Sequence, residues 1–149
     1  MIYHIILGFV LPWTIAGVYL CKKHTKLTAL FLPVGSAIAF LFNDLGLNHF
    51  WELKPSFKAT FITTIPYDLG IYPILFCLFI TAIHYKKLNL RTAFLLFILG
   101  TTLFEFISVL QNKVIYRNGW NIFLTACSYL LAYIMVFFYY RLLIKLKIL

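Results

Sequence analysis

Apolar residues fall into five long blocks separated by short polar clusters. The first, Ile2–Cys21, contains no Lys, Arg, Asp or Glu. At ~1.5 Å per residue its length matches the ~30 Å hydrocarbon core of a bilayer. Gly8 and Pro12 are expected to bend it. The second block is apolar from Leu27 to Phe42, with Pro33 and Gly35 near its beginning and Asn43 and Asp44 at its end. Its pattern allows a helical extension to about Glu52, beyond the bilayer. The third clear block begins after Pro66. Upstream, Phe57, Phe61 and Ile65 share one helical face, and Pro55 with Ser56 reads as a helix start. This favours one long helix kinked at Pro66 and Pro73; a short interfacial helix over 57–65 followed by a separate span fits the same residues. A polar turn centred on Asn118–Gly119 precedes the last block, with Trp120 as an interface anchor.

These blocks predict an all-α fold, a single transmembrane domain over 1–149 with spans at about 2–21, 27–44, 67–85, 92–110 and 120–140. Ser36, Ala39 and Asn43 form a stripe of small and polar residues on the second helix. Asn121, Thr125, Ser128 and Ala132 repeat that stripe on the fifth, and such stripes suit close helix packing.

Composition strengthens the membrane reading. The chain is 63% hydrophobic and 11% charged, whereas a soluble domain carries about 25% charged residues. The net charge of +9 does not point to nucleic acid, because the cations cluster between the apolar blocks. They report topology instead. Nine (Lys22, Lys23, Lys26, Lys86, Lys87, Arg91, Arg141, Lys145 and Lys147) fall on one side and four (Lys54, Lys58, Lys113 and Arg117) on the other. The excess predicts the N-terminus outside and the C-terminus in the cytoplasm. Positive charges follow the first block instead of preceding it, so the block is expected to be retained as a span. Five spans do not divide into two equal inverted halves.

Against this apolar background the acids stand out. Thr101, Glu105, Ser108 and Asn112 share one face of the fourth helix. A carboxyl at membrane depth is expensive and needs a partner or a water-lined cavity, which makes it a candidate functional group. All four acids, Asp44, Glu52, Asp68 and Glu105, fall toward the outer side. Asn43, Asp44, Asp68, Tyr72, Glu105, Ser108, Asn121 and Thr125 are therefore expected around one polar site opening outward. His49, Trp51, Glu52, Asn118 and Trp120 are the outer-loop candidates above it. A structural alternative has Glu105 simply hydrogen-bonded, neutral, or paired with Lys113 or Arg117. Tyr3 and His4 are expected to anchor the first helix at the outer interface.

Other chemistry lacks its signatures. His49 and Glu52 stand at i, i+3 with no second histidine at ligand spacing, so no metal is expected. Cys21, Cys77 and Cys127 lie far apart and read as small buried apolar residues. Nucleophile elbows, phosphate loops and SxxK motifs are missing, and no cofactor is expected.

Several segments carry a resemblance: NHFWEL at 48–53, TFIT at 60–63, the Tyr72–Pro73 pair, FEFI at 104–107 and YRNGWN at 116–121. The region from about Leu41 to Tyr140 resembles an uncharacterised family of small multi-spanning membrane proteins from spore-forming Firmicutes. The family has no assigned activity. The resemblance implies a bacterial cell membrane and marks Trp51, Glu52, Glu105, Asn118, Trp120 and Asn121 as family-type positions. Pro66 departs from the uninterrupted apolar run expected there.

Together these features favour a non-enzymatic binding, sensing or accessory protein, with membrane lipids, another membrane protein or a second copy of the chain as partner. Two alternatives stay open: a membrane enzyme acting on a lipid or isoprenoid, and a small proton- or cation-coupled transporter.

Overall fold

The structure is a computed structural model that describes residues 2–149. Among these residues, five helices are long and apolar enough to cross a membrane: α1 (Ile2–Lys23), α2 (Thr25–Gly46), α3 (Ile65–His84), α4 (Leu90–Leu110) and α5 (Ile122–Lys145). Two short strands add an element that the hydropathy pattern did not predict, so the fold is not purely helical. β1 (Trp51–Leu53) and β2 (Val114–Tyr116) pair antiparallel, Glu52 opposite Ile115.

Helices α2 to α5 form a ring in which each packs on its sequence neighbour and α5 closes back on α2. Helix α1 lies outside the ring, against α3 and the start of α2. The ribbon joins the α2–α3 and α4–α5 connections and roofs one end of the ring, here termed the cap end. The opposite, basic end carries the α1–α2 and α3–α4 corners and the end of α5. There, His24 stacks on Tyr85 with ring centroids 4.4 Å apart, and His84 Nδ1 lies 3.1 Å from the Tyr140 hydroxyl. The core between these ends is dry and aromatic. Phe31, Phe76, Phe79 and Tyr133 are buried, and Phe94 and Phe97 meet Phe79 edge-on. Outside the ring α4 turns Leu95, Leu99 and Leu110 outward, the last 66% exposed. An apolar surface this continuous suits contact with lipid tails.

Three expectations about the helices are corrected. Helix α2 stops at Gly46 and does not continue to Glu52, because Leu47 turns into extended backbone and the chain doubles back. The Trp51 ring then lies on Gly46, where a Cβ would sit 1.8 Å from the ring. Residues 57–65 do not form a regular helix; only a single turn of 3₁₀-helix, Thr60–Thr63, precedes α3. Helix α3 breaks at neither proline. Pro66 and Pro73 both sit in first turns, where a missing N–H costs nothing. The break is at Gly70 (φ −122°, ψ −94°), between Ile65–Asp68 and Ile71–His84. A Cβ at Gly70 would lie 2.0 Å from the Gly8 carbonyl oxygen, so this is where α1 crosses α3 backbone to backbone.

Helix α1 accommodates Pro12 by widening. Ile6–Val10 and Trp13–Gly17 are wound with i→i−5 hydrogen bonds, Leu11 N–H to Ile6 O and Val18 N–H to Trp13 O. Proline lacks an N–H and crowds the carbonyl four residues back, and a wider turn relieves both. All three cysteines are free; Cys77 is buried, but Cys21 is exposed.

Candidate ligand cleft

Glu105 projects from α4 into the ring and meets hydroxyls from two directions. Tyr116, at the end of β2, donates to Oε1 at 2.8 Å. Tyr129, one helix away on α5, donates to Oε2 at 2.5 Å. Thr125 Oγ1 lies 3.2 Å from Oε1 and 3.0 Å from the Tyr116 oxygen, and it accepts from the Trp120 indole at 2.9 Å. Tyr72 extends the chain, 3.4 Å from the Tyr129 hydroxyl. Thr125 has a single hydrogen, so it donates to either Glu105 or Tyr116, not both. Burial first, then the neighbouring Glu105 carboxyl, pushes the Tyr116 phenol up, which keeps it a donor. Every direct partner of this carboxyl is a hydroxyl. Of the structural alternative, the hydrogen-bonded form is the one seen, and the pairing with Lys113 or Arg117 is not: Arg117 bridges to Glu52, and Lys113 Nζ sits 5.0 Å from the centre of the Tyr3 ring.

This wall borders a cleft of about 850 Å³, counted to its open mouth, enclosed by α2 to α5 and the ribbon. Its lining is mainly apolar and aromatic, with Ile38, Phe42, Phe76 and Phe104 among the walls. The small residues of the two stripes help make the space. Ala39 and Asn43 face it from α2, and Thr125, Ser128 and Ala132 face it from α5. At the cap end Trp51, Leu53, Lys113, Val114 and Trp120 complete the lining.

The cap is stitched by side chains that the sequence scatters. Phe50 and Trp51 stack on Trp120 at 4.8 Å and 5.1 Å between centroids. Glu52 bridges to Lys54 at 2.6 Å and to Arg117. Lys54, then Arg117, hold the Glu52 carboxyl below the usual carboxylate range. Asn118 and Gly119 both take positive φ, 50° and 76°, in the tight turn after β2, and Asn118 Nδ2 donates to the His49 carbonyl at 2.7 Å. His4 ties α1 to this end. Its Nε2 faces the Pro55 carbonyl at 3.0 Å and must donate there, which leaves Nδ1 to accept from the Tyr67 hydroxyl at 2.7 Å. The ring is buried inside the fold, whereas Tyr3 is half-buried and donates to the exposed Gln111 at Oε1.

The expected residues therefore divide. Tyr72, Glu105 and Thr125 share one network, and Asn43 and Ser108 line the same cleft, with the Ser108 hydroxyl donating to the Phe104 carbonyl. Asp68 lies behind the wall, fully buried, with Asn43 Nδ2 donating to its Oδ1 at 2.5 Å. Asp44 is outside the cleft, exposed on a separate groove with Leu47 and Phe61. Asn121 is also outside: its side chain caps α5, accepting from the N–H groups of Phe123 and Leu124. The Trp120 indole turns toward the bundle, donating to Thr125 and stacking on Phe50 and Trp51. Glu52 is engaged with Lys54 and Arg117, and among the described residues no group of three His, Cys, Asp or Glu side chains gathers. The residues that pattern analysis missed are Tyr116 and Tyr129, which hold Glu105, and Lys113 as a lining group. Compared with known families, curated proteins and solved structures, the chain matches none.

Proposed function

We propose that this chain is a non-enzymatic binding protein of the membrane whose ligand is an amphiphile held in the cleft between α2 and α5. The observation that carries this reading is the cleft itself, an apolar space between four spanning helices with its polar groups gathered at one end. The apolar lining at Ile38, Phe76 and Ala132 suits an acyl or isoprenoid chain. A polar head fits near Ser108 and Lys113, the one cation on the lining. Lys113 forms no salt bridge among the described residues, since both bridges belong to Glu52. It therefore favours an anionic head. The carboxyl of Glu105 shapes the wall and leaves the ligand contacts to its neighbours.

The cationic asymmetry supports an orientation with the N-terminus and cap end outside and the basic end in the cytoplasm. The resemblance to the Firmicutes family supports a bacterial cell membrane as the location. Membership of that family is part of the proposal.

Native mass spectrometry of wild type and Glu105→Gln, gently purified from the membrane, tests the reading. An adduct of lipid or isoprenoid mass in wild type, depleted in the variant, is expected. Tyr116 and Tyr129 donate to opposite carboxyl oxygens, and an amide turns its NH2 on one of them. Bare spectra for both proteins, or equal adducts in both, would overturn the cleft as the binding site.

A further inference from the structure

Asp68 presents a problem that the cleft does not solve. Its side chain is fully buried, Asn43 satisfies Oδ1, and Oδ2 has no hydrogen-bond partner among the described residues. No lysine or arginine compensates it, since both salt bridges belong to Glu52. An uncompensated carboxylate oxygen in an apolar interior is costly. The residue also ends the short Ile65–Asp68 turn, directly before the break at Gly70. Broken helices inside a bundle leave polar groups that coordinate small ions.

The surroundings are oxygen-rich, and Asp68 is the one buried acid beside the second groove, Asp44 being exposed. Thr64, buried one turn before Asp68, spends its hydroxyl hydrogen on the Phe61 carbonyl at 2.9 Å, so it has only lone pairs to offer. Asn43 and Thr64 both line the second groove, about 740 Å³ to its open mouth, with the exposed Asp44 carboxyl on the same lining. Oxygen ligands select a hard cation, and a divalent ion draws on more carboxylates than one. One carboxylate matched to one positive charge leaves the site neutral, as the low dielectric demands.

We propose that Asp68 Oδ2, together with the Thr64 hydroxyl, binds one monovalent metal cation of the sodium class, which enters from the groove that carries Asp44. Asn43 holds the carboxyl in place by its bond to Oδ1. The proposal stands apart from the amphiphile reading and needs no ligand in the cleft.

The test is thermal unfolding of the purified full chain in detergent, titrated with sodium chloride against choline chloride at equal ionic strength. Wild type is expected to gain Tm saturably with sodium and not with choline, because an ion bound only by the folded state stabilises it. Asp68→Asn is expected to lose the sodium response. Thr64→Val keeps the carboxyl and is expected to shift the midpoint to higher sodium; it decides the matter if Asp68→Asn does not fold. Equal responses to the two salts, a sodium response retained in Asp68→Asn, or an unchanged midpoint in Thr64→Val would overturn the proposal. So would a Tm that rises on acidification with no sodium effect at any pH, which would place a proton on Oδ2.

Discussion

The two ends of the bundle solve the same packing problem with different chemistry. The half that leads to the basic end is filled by rings in edge contact: Phe79 on Phe94, Phe97 and Tyr133, and Phe31 on Tyr139. The cap half contains all four acids, a chain of hydroxyls around Glu105, a salt-bridged ribbon and both open spaces. Aromatic packing is satisfied by shape and leaves no room. A hydrogen-bonded wall holds its members at fixed separations and can border an empty space without collapsing into it. The cleft lies where packing gives way to hydrogen bonding.

That contrast can be broken from either side. The largest loss of stability is expected from Phe79→Ala at the dry half, about 3–5 kcal/mol. Thermal unfolding would show it, while any adduct in the cleft should survive in the protein that remains folded. Glu105→Gln is expected to cost less, about 1–3 kcal/mol for a buried donor left unpaired, yet to deplete the adduct. If Phe79→Ala removed the adduct and Glu105→Gln spared it, the division between the two halves would be wrong. Gly46→Ala is a subtler probe. Its new methyl displaces the Trp51 ring, so hydrogen exchange should quicken at residues 51–53 and 114–116 with little change in the helices. Protection unchanged in the ribbon would show that Trp51 does not hold the cap.

The smallest effect expected is a difference in acid sensitivity. Burial first, then Lys23 and Lys86, lowers the His24 pKa below its ordinary 6.5. The unfolded chain therefore takes up the proton first, and folding stability drops as pH falls below 6.5 toward the lowered folded value. Glu52 at the cap has its pKa lowered from 4.5, so its contribution is lost only as pH falls below that value. Mild acid, about pH 5.5, should thus loosen the α1–α2 corner while the cap holds. A Tm that falls between neutral and mildly acidic pH in wild type but not in His24→Phe would confirm the order. An equal fall in both would remove His24 as the cause.

Five helices long and apolar enough to cross a membrane were legible in the sequence because a bilayer imposes one demand, roughly twenty apolar residues, that local composition meets or fails. Asn121 carried a legible signal too, an N-cap residue directly before an apolar run, although its place in a small-residue stripe suggested the bundle interior. The rest depends on contacts made across the chain. The break in α3 follows from Gly8 crossing Gly70 and leaves both prolines undisturbed. The ribbon is three residues long on each side, too short for alternation to announce it. Glu105 was visible as an acid in an apolar block, but its partners were not. Tyr116 sits in a loop that reads as polar, and Tyr129 sits in a helix where aromatics are common.

The ribbon also sets an order of assembly. Glu52 and Arg117 lie 65 positions apart, and the ribosome delivers β1 long before β2. During that interval the chain has helices but no roof, and Trp51 waits without Trp120. Tyr116 arrives with β2, and Tyr129 and Thr125 with α5, so Glu105 is made before any of its partners. The nascent chain therefore carries this acid without all of its hydroxyl partners until α5 is made, and that helix does more than close the ring. It ends the period in which the fourth helix is least content to stay where it is.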